Sequence, residues 1–364
     1  MPLNTAIELD EGTTEIATGA FNRCSGLTSV TIPNSVTSIG EGAFAECRNL
    51  TSLIIPEGVT SIGRRAFYRC SGLTSIIVES GNIVYDSRNN CNAIISTADD
   101  ALILGCGRTR IPRVRAIGDE AFAGCSGLYH LQIPNGVRYI GAYAFEGCDV
   151  EEVIIPRSVE YIYSSPFRAC DRLYSIIVEE GNPVFDSRDN CNAIIRTADN
   201  EFISGCDKTI IPNSVTSIGD EAFAYCYYLT TVTIPNSVIS IGYYAFNECN
   251  RLTNLYCYAK EIPQITPGTF GNNSRIFSKA TLHVPVVSLD AYKAAWVWAN
   301  FKNIVGIGDA SGDGTADASD IIEMLNYIMG NPSEVFDERA ADLNGDGIVN
   351  AADIVKLVNL LMGN

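Results

Sequence analysis

The chain has 364 residues, 46% of them hydrophobic, with 42 acidic against 25 basic side chains and a net charge of −17. That balance excludes the basic footprint that nucleic acid or an anionic lipid surface requires. No apolar run approaches the roughly 20 residues of a membrane-spanning helix. The opening "MPLNTAIELDEGTTE" has neither the basic start nor the apolar core of a signal peptide, although a matured exported chain would look the same.

From the N-terminus the sequence repeats itself. Cys24, Cys47 and Cys70 are 23 residues apart, as are Cys125 and Cys148, and Cys226 and Cys249. Each sits in one phrase, such as "AFNRCSGLTSVTIP" or "AFAYCYYLTTVTIP", with Phe three residues before the Cys; Cys170 marks a weaker copy, "PFRACDRLYSIIVE". "LTSVTI" alternates apolar and polar residues, the pattern of a short strand with one buried face. Pro33 ends the pairing because it has no N–H for a ladder. "SVTSIG" turns back through Val36 and Ile39, and "EGAFAEC" has the length of one helical or 3₁₀ turn that buries Ala43, Phe44 and Cys47. A unit this short cannot cover its own apolar face. Stacking at about 4.8 Å per coil makes the core continuous. The expected architecture is a repeat solenoid over 1–258.

The Ile-Pro…Ile-Gly…Ala-Phe…Cys phrase, from about Glu11 to Tyr258, resembles the leucine-rich repeats of the BspA-like family of bacterial cell-surface proteins. The resemblance implies a β-rich leucine-rich repeat array with short helical or 3₁₀ turns.

Two longer segments, "SIIVESGNIVYDSRNNCNAIISTADDALILGC" (75–106) and "SIIVEEGNPVFDSRDNCNAIIRTADNEFISGC" (175–206), also match each other. Each is expected to form a β-hairpin insert around "TADD" or "TADN". A block of about one hundred residues is therefore read as duplicated. Of the 13 cysteines, the ladder residues read as small apolar groups packed one per coil. There is no CxxC, and His130 and His283 are too scattered for zinc. A two-residue turn at Ala98-Asp99 or Ala198-Asp199 would place Cys91 opposite Cys106, or Cys191 opposite Cys206, and allow a disulfide. A slip of one pair would abolish it.

Residues 259–305 read as the segment that covers the last coil. Ser288 is expected to cap a helix through "LDAYKAAWVWANF", with Asp290 in its first turn. Trp296 and Trp298 are expected to fill this cap.

Beyond Gly306 the composition changes, and 306–364 reads as a separate domain. "DASGDGTADASD" (309–320) and "DLNGDGIVNAAD" (342–353) have the spacing of twelve-residue calcium loops. Calcium takes six to eight oxygens, from loop positions 1, 3, 5, 7, 9 and 12, with Gly at position 6 for the bend. The first loop offers Asp309, Ser311, Asp313, the Thr315 carbonyl, Asp317 and Asp320. The second offers Asp342, Asn344, Asp346, the Ile348 carbonyl, Asn350 and Asp353. Two calcium ions are expected. A helix follows each loop, with Ile321, Leu325 and Ile328 on one face of the first and Ile354, Val358 and Leu361 on one face of the second. Gly330 and Gly363 stand at their ends. Both loops end in Asp rather than the usual Glu, and no helix precedes the first.

This loop–helix duplication resembles a dockerin domain, the module by which extracellular proteins attach to cohesin-bearing scaffolds. The resemblance implies partner-binding roles for Ala318, Ser319, Leu325, Asn326, Ala351, Ala352, Val358 and Asn359. The Ser-Thr and Lys-Arg pairs familiar in that family are absent, which leaves open the cohesin class and whether the partner is a cohesin.

The strand face turned from the core shows Ser29, Thr31, Ser52, Ile54, His130, Gln132, Glu152, Ile154, Ser175, Ile177, Thr231, Thr233, Asn254 and Tyr256. That mixed surface suits a host protein or a polysaccharide. There is no GxSxG, HExxH or phosphate loop, and neither histidine has a nucleophile motif beside it. The reading is a non-catalytic, secreted or cell-surface binding and adhesion protein. A structural spacer, or a hydrolase of a cellulosome-like complex, are the alternatives.

Overall fold

The computed structural model describes residues 4–271, 274–344 and 347–362. Its chain divides into two units, Met1–Thr197 and Ala198–Asn364.

In the first unit each repeat forms one coil. Ser52–Ile55 runs parallel to Ser75–Val78, placing Leu53 over Ile76 and Ile55 over Val78. These four side chains are buried, while Ile54 and Ile77 between them point outward and are about half exposed. On another side of the coil, two-residue strands stack Ile16, Ile39 and Ile62 in register. The 23-residue period is thus a physical register in which equivalent side chains lie over one another. Threonines extend it, since Thr51 Oγ1 donates to the Thr28 carbonyl and Thr74 Oγ1 to that of Thr51, both at 3.2 Å.

The "EGAFAEC" segments are built of i→i+3 bonds, Ala43 N–H to Gly40, Ala45 to Gly42 and Cys47 to Phe44. Between them, the N–H groups of Phe44 and Glu46 reach sideways to Ala66 and Tyr68 of the next coil at 2.7 Å. A continuous helix cannot spare those donors, so the backbone alternates, with Glu46 and Arg69 at φ of +60° and +54°. Phe21, Phe44 and Phe67 stack as parallel rings 5.0 and 5.4 Å apart. Phe122, Phe145 and Phe167 form a second stack at 5.1 and 5.5 Å.

The ladder cysteines do more than fill space. The Cys47 thiol donates to the Phe21 carbonyl at 3.0 Å, Cys70 to Phe44 at 3.1 Å, and Cys148 to Phe122 at 2.9 Å. Each of those carbonyls also accepts the N–H of the Cys three residues on in its own coil. The thiol therefore supplies the second donor to a carbonyl with two lone pairs, one coil below.

The first insert forms the expected hairpin. Ile94–Ser96 pairs antiparallel with Ala101–Leu104, and Tyr85–Asp86 adds a further antiparallel strand. Its register corrects the disulfide expectation. Ser96 faces Ala101 and Ile95 faces Leu102, but Ile94 faces Leu104. The irregularity at Ile103 moves Cys106 out of line with Cys91, and both are free thiols. Cys191 and Cys206 are free as well.

The second unit opens with further coils, in which Phe202, Phe223, Phe246 and Phe270 continue to stack. A parallel sheet runs from Thr231–Ile234 through Asn254–Cys257 and Thr281–Pro285 to Asn303–Ile307. The covering segment departs from expectation. Its helix is only Leu289–Ala294, and Val297 at φ +72° breaks the chain into a 3₁₀ turn at Trp298–Asn300. Ser288 does not cap, because its hydroxyl donates to the Lys260 carbonyl at 2.9 Å instead. Trp298 is buried, its indole N–H on the Pro263 carbonyl, whereas Trp296 is exposed.

The helices Ala318–Ile328, Glu338–Ala341 and Ala351–Met362 follow. Their core joins Ala310, Met324, Ala341, Leu343, Val349, Leu357 and Leu360, with Tyr258 of the coils packed against it. The buried face of the first helix centres on Ile321 and Met324, and Leu325 and Ile328 are exposed. Gly330 ends that helix at φ +80°. Gly363 lies outside the described residues.

Candidate metal centre

The two twelve-residue loops share one hydrogen-bond scheme. In the first, the carboxylate of Asp320 accepts the N–H of Ser311 at 2.9 Å and of Asp317 at 2.7 Å. Asp309 accepts the N–H groups of Asp313 and Gly314, both at 2.9 Å. In the second, Asp353 accepts from Asn344 at 2.9 Å and Asn350 at 3.0 Å, and Asp342 accepts from Gly347 at 3.0 Å. The last carboxylate of each loop thus ties positions 3 and 9 together, and the first carboxylate closes the bend. Gly314 and Gly347 hold φ of +89° and +81° there, a region that a side chain would resist.

Asp320 and Asp353 are 0% exposed. Among the described residues, no Lys or Arg pairs with either. A buried carboxylate without a cation is costly, and two such groups at equivalent places fit a divalent ion held by each loop. Asp317 also starts the helix Ala318–Ile328 through a capping box with Asp320. The N–H of Ser319 holds the Asp317 carboxyl below its ordinary range.

The other expected ligands are placed as follows. Asp313 Oδ1 accepts the Thr315 N–H at 2.8 Å and its hydroxyl at 2.7 Å. Ser311 donates to Asp309 at 3.5 Å, and the Ile348 carbonyl accepts from the Asn350 amide at 3.1 Å. Asp346 lies outside the described residues. Among the described residues, no three Asp, Glu, His or Cys side chains converge as a cluster. The expected donor set is instead mixed, with Ser and Asn side chains and backbone carbonyls among its oxygens, as a hard cation prefers.

Of the expected partner-binding positions, Ala318, Leu325, Ala351, Ala352 and Asn359 are exposed, and Ser319, Asn326 and Val358 are half-buried. Asn359, Lys356 and Leu360 line a crevice shared with Thr233, Pro235, Asn236 and Tyr258 of the coils.

On the strand face of the first unit, Thr31, Ser52, His130, Gln132 and Glu152 are exposed. Ile54, Ile77, Ile154 and Ile177 are 48 to 50% exposed. In the second unit Thr231 is exposed, but Tyr256 at the outward position is buried. It stacks on His283 at 4.1 Å and lies 6.5 Å from Tyr258. His283 is buried too; its Nε2 is 3.1 Å from Asn254 Oδ1, and burial lowers its pKa to about 4. Sequence reasoning missed this aromatic row, since nothing local marks which outward residues another element covers.

The family of BspA-type leucine-rich repeat regions matches 3–97, 108–194 and 198–288, in six copies. The dockerin type I family matches 307–362, and domains of that type bind calcium. No curated protein matches. The chain is similar in structure to a leucine-rich cell surface protein of Faecalibacterium prausnitzii, at 24% identity and a TM-score of 0.51, covering 87% of this chain and 92% of that one. It is also similar to a leucine-rich repeat protein of Eubacterium ventriosum, at 20% identity, a TM-score of 0.45 and coverage of 82% and 78%. The pneumococcal vaccine antigen PcpA matches at 16% identity with a TM-score of 0.38, covering 78% and 72%.

Proposed function

We propose that this chain, which belongs to the BspA-type leucine-rich repeat family and ends in a dockerin type I domain, is a non-catalytic binding and attachment protein. It acts outside the cell, secreted or on the bacterial surface. Both module families are non-catalytic. The array presents a recognition surface for a protein or a glycan, and the terminal module joins the chain to a cohesin-type scaffold. Two calcium ions hold the module in shape. Asp309, Ser311, Asp313, Thr315, Asp317 and Asp320 would ligate one, and Asp342, Asn344, Asp346, Ile348, Asn350 and Asp353 the other. The ion supplies charge balance to carboxylates that would otherwise repel one another, so folding of the module and metal binding go together. Dissociation constants of the extracellular class, about 10⁻⁴ to 10⁻³ M, would suffice for filling outside the cell.

The observation that carries this reading is the pair of fully buried carboxylates at the same place in two equivalent loops, neither paired with a Lys or Arg among the described residues. Capture on immobilised cohesin modules tests it. The full chain should be retained in calcium and released by chelator, and a chain ending at residue 305 should not be retained. Capture that ignores both chelation and truncation would refute the attachment role.

The exposed pairs Ile54/Ile77 and Ile154/Ile177 favour a recognition surface over a spacer. A polysaccharide and host-protein array probed with the chain ending at residue 305 distinguishes the two. Binding supports recognition, and silence across the array supports the spacer.

A further inference from the structure

We infer that the second calcium loop is fastened to the repeat array, so that calcium at this loop and burial of the adjoining strand face are two sides of one equilibrium. The first loop shares this coupling only through the common core, where Ala310 is buried with Leu343 and Leu357. The inference rests on the calcium reading of the loops.

Tyr258 carries the connection. It follows the strand Asn254–Cys257 of the last coils, yet its hydroxyl donates to the backbone carbonyl of Leu343, the second residue of the second loop. Its ring packs into the core of the helical module. Lys356, from the helix that leaves the same loop, places its ammonium 5.5 Å from the Tyr258 ring centre. A second fastening lies at the entrance to the loop. The N–H of Gly308, which links the strand Asn303–Ile307 to the start of the first loop, donates to the Ala340 carbonyl at 3.0 Å, two residues before Asp342, and so ties the entrances of both loops to that strand. Among the described residues, no hydrogen bond joins 309–320 to the coils.

The strand face records the consequence. Thr233, Tyr256, His283 and Val305 occupy one register row of the sheet. Tyr256 and His283 are only 4% and 8% exposed, though their side chains leave the sheet on the outward side. They continue from Tyr258 as a row of rings. An element that anchors Tyr258 therefore also shields Tyr256 and His283. Calcium shapes the loop that anchors Tyr258. Linkage then requires that whatever loosens the anchor weakens calcium binding by the same factor, and that calcium removal loosens the anchor.

The chain's two histidines make this measurable. His130 is exposed and His283 is buried, so His130 serves as an internal reference for carbethoxylation by diethyl pyrocarbonate, followed by peptide mass spectrometry on the full chain. In calcium only His130 should react. In chelator His283 should react at least about tenfold faster than in calcium. In parallel, Tyr258→Phe removes one hydroxyl and keeps the ring. Calcium calorimetry on this full-length variant should show one of two sites weakened about three- to tenfold and the other changed less. Protection of His283 that survives chelation, or a variant with both sites equal to those of the native chain, would overturn the coupling while leaving the calcium reading intact. A native chain that takes up no calcium would overturn both. Should the variant lose its native circular dichroism in calcium, the histidine result on the native chain decides alone.

Discussion

Replacing Phe145 with alanine tests whether stacked coils are the source of stability. Phe145 is 0% exposed, with Phe122 at 5.1 Å on one side and Phe167 at 5.5 Å on the other. Truncating a buried Phe costs about 3–5 kcal/mol. Two stacked neighbours, each contributing about 0.5–1.5 kcal/mol beyond burial, place this site near the upper end, at about 5 kcal/mol. In an array each coil touches only its neighbours, so the loss should be local. Hydrogen–deuterium exchange is the suitable assay, because a single unfolding midpoint is poorly defined for such a chain. Peptides spanning 119–170 should lose most of their protection, and peptides spanning 27–55 should keep theirs. Among the described residues no ring contact joins Phe67 to Phe122, the ends of the two Phe stacks of the first unit, so the effect should weaken there. A loss below about 1.5 kcal/mol, or one spread evenly over 27–170, would refute the reasoning.

Three further outcomes are expected. Asp320→Asn removes a buried charge that accepts two loop N–H groups; calorimetry should show one calcium site weakened about a hundredfold and the other retained. Burial pushes the thiols of Cys47 and Cys170 up to about 11 and about 12, so neither should react with Ellman's reagent in the native chain near neutral pH, and both should react on unfolding. The same raised values make stability fall with pH. Their contribution is complete below about 9, where unfolded thiols keep their protons, and is lost as pH rises toward 11 and 12. The urea transition, compared as a whole curve, should move to lower urea between about pH 8 and about pH 10.5, and Cys47→Ala/Cys170→Ala should lessen that shift without abolishing it, because burial raises other thiols too; a shift unchanged in that double variant would count against the assignment.

The array was legible because its period is itself the packing register. Phe44 and Cys47 recur at fixed places since each must lie over its counterpart one coil away. The spacing of Phe and Cys also held the signal for the thiol–carbonyl bonds, but reading it requires knowing that both bonds to one Phe carbonyl come from cysteines of successive coils. The calcium loops were legible for the same local reason, with ligands, bend and helix start in twelve residues. What escaped was set by distant partners. Ser288 was free to cap in sequence but meets the Lys260 carbonyl in space. Cys91 and Cys106 were symmetric about a turn until an irregularity at Ile103 shifted one strand. Tyr256 had the alternation of an exposed residue and is buried in a row of rings whose far member reaches the second loop.

Native mass spectrometry of the full chain, stripped with chelator and returned to millimolar calcium, tests the central claim most directly. A species carrying two calcium ions is predicted, with one ion lost in Asp320→Asn and the other in Asp353→Asn. A chain that stays free of ions in that buffer, or retains both in either variant, would contradict the account.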